Sequence, residues 1–160
     1  MPRIGITGHM NLTPESVPPI YGGIRDALTP YEADELVGIS CLARGADSVF
    51  AQAVLDLGGA LEVVLPAADY RETKVKPDHA QQFDELLRRA HVTRVMPFAH
   101  ANREAYEAAN ETVLSSCDQL VAVWDGQSPA DKGGTAAVVA EARDRGLPVE
   151  IIWPDGARRE

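Results

Sequence analysis

The chain has 160 residues, of which 45% are hydrophobic and 24% charged, and this suits a single globular domain over residues 1–160 with a core large enough to stand alone. Its formal net charge of −9 argues against strong nucleic-acid binding, since the basic residues form only two modest groups, Arg71/Lys74/Lys76 and Arg158/Arg159. No run approaches roughly 18 consecutive apolar residues and none at the N-terminus has signal-peptide character, so a cytoplasmic protein with no membrane partner is expected.

Residues 3–7 (R-I-G-I-T) read as a first strand, closed by Gly8 and His9. A short helix falls within residues 20–28 and stops at Thr29-Pro30, where the proline ring clashes with a continuing helix. A second strand lies in residues 35–41. Ala46, Val49, Phe50, Ala53, Val54 and Leu57 then recur at helical spacing until Gly58-Gly59 ends the pattern. L-E-V-V-L at 61–65 is a third strand, and residues 67–77 form a polar loop containing Asp69 and Tyr70. The helix over 79–90 places Phe83, Leu86, Leu87 and Ala90 on one face, and 93–96 is a weaker fourth strand. A helix over 102–116, a fifth strand at 119–124 (Q-L-V-A-V-W), a helix over 135–145 and a sixth strand at 149–153 complete the pattern. The polar tail from about residue 154 is expected to fray. Strands this apolar have no wet face. Alternating with helices, they predict an α/β fold: a Rossmann-like doubly wound, mostly parallel six-stranded sheet with helices on both faces.

Such folds bind ligands outside the carboxyl ends of the strands, where strand order reverses. Gly8 and His9 follow the first strand. Ser40, Arg44, Gly45 and Asp47 surround a strand–turn–helix step, where unpartnered helix N–H groups and a guanidinium can converge on one anion. D-K-G-G-T brings Gly133, Gly134 and Thr135 to a second helix start, where paired glycines expose N–H groups and the threonine can cap; a Walker A loop it is not, because the upstream glycine and G-K-[ST] are missing. Tyr70, Asp125 and Gly126 sit at other strand ends. Tyr106 and Asn110, four apart, share a helix face from which an amide can read a base or ribose. Cys41 and Cys117 have neither C-x-x-C nor His-paired spacing, so both read as buried thiols and no metal site is expected.

L-A-R-G-A-D, followed by a helix, Gly58-Gly59 and a strand ending at Leu65-Pro66, resembles the S-G-x-A-x-G-[IA]-D signature of the Rossmann domain of DNA-processing protein A. Tyr106, Asn110, Cys117-Asp118, L-V-A-V-W-D-G and G-G-T look like the later half of bacterial nucleotide-sensor families. The resemblance runs from about Ile4 to Ile152. It points to the superfamily joining DNA-processing protein A, the Lonely Guy phosphoribohydrolases, molybdenum-cofactor carrier proteins and the SLOG nucleotide-ligand sensors. Lonely Guy enzymes carry P-G-G-x-G-T-x-x-E with a catalytic glutamate; here the residue three after Thr135 is Val138.

The resemblance implies a cytoplasmic domain that binds or senses a nucleotide or nucleotide-derived ligand without strong catalysis. Its expected partners are that ligand and further copies of the chain; no other cofactor is assigned. The alternative is an N-glycosidic hydrolase acting on nucleoside monophosphates, with Glu141, Asp47 or Asp125 as the carboxylate that stabilises an oxocarbenium-like transition state.

Overall fold

The computed structural model describes residues 2–127 and 134–160. Six strands, β1 (Arg3–Gly8), β2 (Val37–Ser40), β3 (Ala60–Leu65), β4 (Val92–Val95), β5 (Gln119–Val123) and β6 (Val149–Ile152), form one sheet in the order β4-β3-β2-β1-β5-β6. Every pairing is parallel, so the mostly parallel sheet expected from the sequence is wholly parallel. From β1 the chain steps outward through β2 and β3 to β4. It then returns to lay β5 on the other side of β1, in register from Ile4 beside Gln119 to Gly8 beside Val123. Strand order therefore reverses between β1 and β5.

Helices α1 (Val17–Leu28), α2 (Ala46–Asp56), α3 (Tyr70–Lys74), α4 (Pro77–Arg88), α5 (Arg103–Ser116) and α6 (Thr135–Asp144) cover the sheet. Alternate residues of each central strand face opposite layers. Ile4, Ile6, Val121 and Val123 pack with Ile20, Ile24, Val49, Phe50 and Val54 of α1 and α2. Leu61, Val63 and Leu65 meet Phe83 and Leu86 of α4. On the opposite face Val37, Ile39 and Val64 pack on Ala109 and Val113 of α5, while Leu120 meets Ala142 of α6. The sheet is doubly wound. Among the described residues no helix is long and apolar enough to cross a membrane.

Three local expectations need correction. α1 begins at Val17, earlier than residue 20, because Pro18 and Pro19 occupy the first turn, where a missing N–H breaks no helical bond. The stretch expected as a polar loop contains α3, a five-residue helix whose sequence, Y-R-E-T-K, is too short for apolar periodicity. The tail is not frayed: Thr13 N–H donates to the Arg158 carbonyl, Glu160 N–H to that of Asn11, and Arg158 N–H to Ser16 Oγ, so the tail runs antiparallel beside the loop after β1.

Two glycines let the layers touch at the reversal point. A Cβ on Gly8 would overlap that of Ala46 and stand 2.9 Å from Val123 Cβ. A Cβ on Gly45, whose φ is +81°, would lie 2.5 Å from the His9 carbonyl oxygen. Gly22, inside α1, would meet nothing within 4 Å. Gly8→Ala is therefore expected to lose about 1–3 kcal/mol through overpacking, and Gly22→Ala to gain up to about 1 kcal/mol from helix propensity. Thermal melts check both; equal melting temperatures for the two variants would contradict the close approach at Gly8.

Candidate functional site

The carboxyl ends of β1 and β5 open onto a cavity of about 530 Å³. Thr7, Gly8 and His9 form one side, Cys41, Ala43 and Asp47 the floor towards α2, and Tyr70 and Lys74 the α3 wall. Tyr106, Ala109 and Asn110 come from α5, Trp124 and Gln127 from the segment after β5, and Gly134, Thr135 and Val138 from α6.

Local bonds set each of these side chains. Asn102 caps α5 by accepting the Ala105 N–H at 2.9 Å. Asp69, just before α3, accepts the Ala101 N–H at 2.8 Å and holds the His100 ring at 3.0 Å, tying the start of α3 to the approach of α5. That tie brings Tyr70 and Tyr106 edge to face, with ring centroids 6.3 Å apart at 76°. The Asn110 amide, one turn beyond Tyr106, has no hydrogen-bond partner among the described residues and lines the cavity.

His9 is buried at the reversal point. Its Nε2 accepts the Asp125 N–H at 3.1 Å. Burial and then Arg159 push its pKa down, outweighing the Asp125 carboxylate 3.3 Å away. Asp125 itself is pushed up by burial but held below the usual carboxylate range by the Gln127 N–H and His9. Edge contact with Trp153, at 5.6 Å between centroids, backs the His9 ring.

Asp47 is the unusual acid. Its Oδ2 accepts the Ala43 N–H at 3.3 Å. No buried side-chain oxygen or nitrogen among the described residues lacks a partner, so the other carboxylate oxygen stays open to the cavity. Burial pushes its pKa up to about 7, partly opposed by the Ala43 N–H. Burial, followed by the charge of Asp47, also raises the Cys41 thiol and the Tyr70 hydroxyl. The cavity lining thus carries three acids whose pKa values are raised, two in the floor and one in the α3 wall.

Gly8, His9, Asp47, Tyr70, Asn110, Gly134 and Thr135 of the predicted ligand set meet in this cavity. Ser40 does not: it is buried, donating to the Asp47 carbonyl and accepting the Leu42 N–H. Arg44 and Gly45 line a neighbouring hollow, and the Arg44 guanidinium is bonded to Asp78 of α4. The Ala46 N–H, the first of α2, is taken by the His9 carbonyl at 3.1 Å. Asp125 orders the segment after β5 through His9, Gln127 and Arg159, and Gly126 forms no wall. Glu141 is exposed on α6 and paired with Arg145 at 2.9 Å, away from the cavity. Gly133 lies outside the described residues. Sequence reasoning missed Lys74, Trp124 and Arg159 as wall residues. The aromatic Trp124 beside Asp125 was a signal; Arg159 gave none, because only the pairing of the tail brings it there.

No protein-family model and no curated protein matches this chain. Solved structures do. DNA processing protein A from Streptococcus pneumoniae aligns with a TM-score of 0.71 at 18% identity, over 98% of this chain and 52% of that one. The Helicobacter pylori protein of the same name, described for its single-stranded DNA binding mode, aligns at 0.69 and 15% identity, over 99% of this chain and 68% of its own. A molybdenum cofactor binding protein from Rippkaea orientalis aligns at 0.61 and 19% identity, over 96% and 77%. The chain therefore shares their Rossmann-like fold and spans about half the length of the S. pneumoniae protein. The exclusion of nucleic acid drawn from the net charge does not stand, since this fold serves a single-stranded DNA binder in H. pylori. Overall charge is a poor guide where basic side chains gather locally, as Arg44, Lys74 and Lys76 do around one hollow.

Asp47 makes stability fall with rising pH. An unfolded aspartate titrates near about pH 4, so between there and about 7 the folded protein holds a proton that the unfolded chain has released. The stabilisation from that proton is complete below this window and lost as pH climbs through it. Asp47→Asn keeps an acceptor for Ala43 N–H and removes the ionisation. Urea unfolding is expected to show the variant gaining on the wild type from pH 5 to 7.5, by a few kcal/mol at the upper end; a gap independent of pH would contradict a buried ionisable Asp47.

Proposed function

We propose that this chain is a single cytoplasmic domain that binds a small nucleotide or nucleotide-derived ligand in the crevice between β1 and β5, without strong catalysis of its own. The observation that carries this reading is a cavity lined by the edge-to-face pair Tyr70 and Tyr106, by Trp124, and by the Asn110 amide, which has no hydrogen-bond partner among the described residues. Flat aromatic surface takes a heteroaromatic ring, and a primary amide both donates and accepts along its edge. Gly134 and Thr135 at the start of α6 offer N–H groups to an anion, while Asp47 offers an acceptor for a sugar hydroxyl or amino group. That one protein of this fold is described as binding a molybdenum cofactor supports a small-ligand reading.

Weak catalysis follows from what faces the crevice from α6. Val138, a half-buried aliphatic residue, lines it, and Glu141 one turn on does not. The hydrolase alternative rests on Asp47, the only one of the three candidate carboxylates that lines the cavity among the described residues.

A thermal-shift panel of AMP, GMP, CMP, ADP-ribose and NAD tests the binding reading. A ligand at about 100 times its dissociation constant is expected to stabilise the fold by roughly 2.7 kcal/mol, and Asn110→Ala to weaken it about tenfold with the ligand-free melt unchanged. A flat panel would overturn the reading. Release of free base at about 1 per second or faster, abolished in Asp47→Asn, would establish the hydrolase instead.

A further inference from the structure

A second hollow of about 650 Å³ adjoins the crevice. Met10, Asn11, Tyr70 and Lys74 line both, so the two are adjoining compartments that share a wall, together called a trough. Their chemistry differs. The crevice has the aromatic rings, the Asn110 amide and the acid floor. The second compartment has an aliphatic surface from Leu12, Val49 and Val75, with basic side chains around it.

Of those cations, Arg44 is bonded to Asp78. Lys74, on the dividing wall, enters no ion pair among the described residues, although Arg71 on the same short helix is paired with Asp84. Lys76, Glu160 and Asp78, the last already bonded to Arg44, line the second compartment alone, whereas Lys74 lines both, so an anion spanning the two would meet Lys74. Each compartment falls within the roughly 300–1,000 Å³ that suits a drug-sized group.

Resting on the nucleotide reading above, we propose that the trough takes a bipartite ligand, two nucleoside-sized groups joined through phosphate, with one base against Tyr106 and Asn110, the other on the aliphatic compartment, and the linking anion on Lys74. A mononucleotide fills only the first compartment. The shared chemistry is available from a free dinucleotide or from adjacent nucleotides of a single strand.

Calorimetric titration of the full chain with AMP, NAD and a hexadeoxyadenylate tests this, using the wild type, Lys74→Ala, Lys74→Arg and Gln82→Trp. Gln82 is an exposed residue on the outer rim of the second compartment, so an indole there fills that space without disturbing the core. NAD is expected to bind at least tenfold more tightly than AMP. Lys74→Ala should remove about tenfold or more of that affinity and Lys74→Arg restore most of it. Gln82→Trp should bring NAD down towards AMP and leave AMP unchanged. If the hexanucleotide binds more tightly than NAD and responds to the variants in the same way, the unit belongs to a strand and the bipartite assignment holds. NAD binding no tighter than AMP, or unaffected by Gln82→Trp, would overturn the bipartite ligand and leave the nucleotide reading in place. No binding of any probe to the wild type would overturn both.

Discussion

Three hydrogen bonds made by His9 hold together the point where strand order reverses. Its N–H donates to the Val123 carbonyl at 3.2 Å, its own carbonyl accepts from Ala46 at 3.1 Å, and its Nε2 accepts from Asp125 at 3.1 Å. One residue thus joins the end of β1 to the end of β5 and to the start of α2. The glycines around it follow from that junction. Position 45 takes glycine because its φ is positive and any Cβ would strike the His9 carbonyl, and Gly8 leaves room for Ala46 to pack on the strand end. The crevice has its shape because these three elements cannot move apart there without breaking a buried backbone bond.

The same junction reverses the expected electrostatics. A helix start ordinarily welcomes an anion, yet the first N–H of α2 is spent on His9 and the first turn carries Asp47. The helix dipole favours the ionised carboxylate, but burial opposes it more strongly, and the net pKa is near 7. A phosphate placed at this helix would sit beside a carboxyl that ionises in the physiological range. A hydroxyl or amino group would find an acceptor instead. The polarity of the crevice therefore runs from an acceptor at α2 to donors at the start of α6.

Most of the architecture was legible because it rests on local periodicity. Apolar runs marked the strands, and Gly58-Gly59 and Thr29-Pro30 marked where helices stop. What escaped depended on distant pairing. Whether the Arg44 side chain turns into the crevice or away to Asp78 is decided by α4, more than thirty residues on. Arg159 reaches Asp125, at 3.6 Å, only because the tail pairs with the loop after β1. Tyr106 and Asn110 were visible as a one-turn pair, since both lie on one helix; that Tyr70 faces them depends on Asp69 bridging two loops. α3 was missed because five residues do not establish a period.

The charge balance carries a similar lesson about scale. A net charge of −9 describes the far field, and at physiological salt that field decays over a Debye length of about 8 Å. Within that distance the trough has its own composition, with Arg44, Lys74 and Lys76 around one compartment and His9 and Asn110 in the other. On the helix faces several of the acids are paired: Glu107 with Arg103, Glu85 with Arg88, Glu111 and Glu141 with Arg145. An anion approaching the strand ends meets the local arrangement and is screened from the remainder. Under the bipartite-ligand proposal a linking phosphate would meet Lys74 on the shared wall, a matter of local placement that composition does not address.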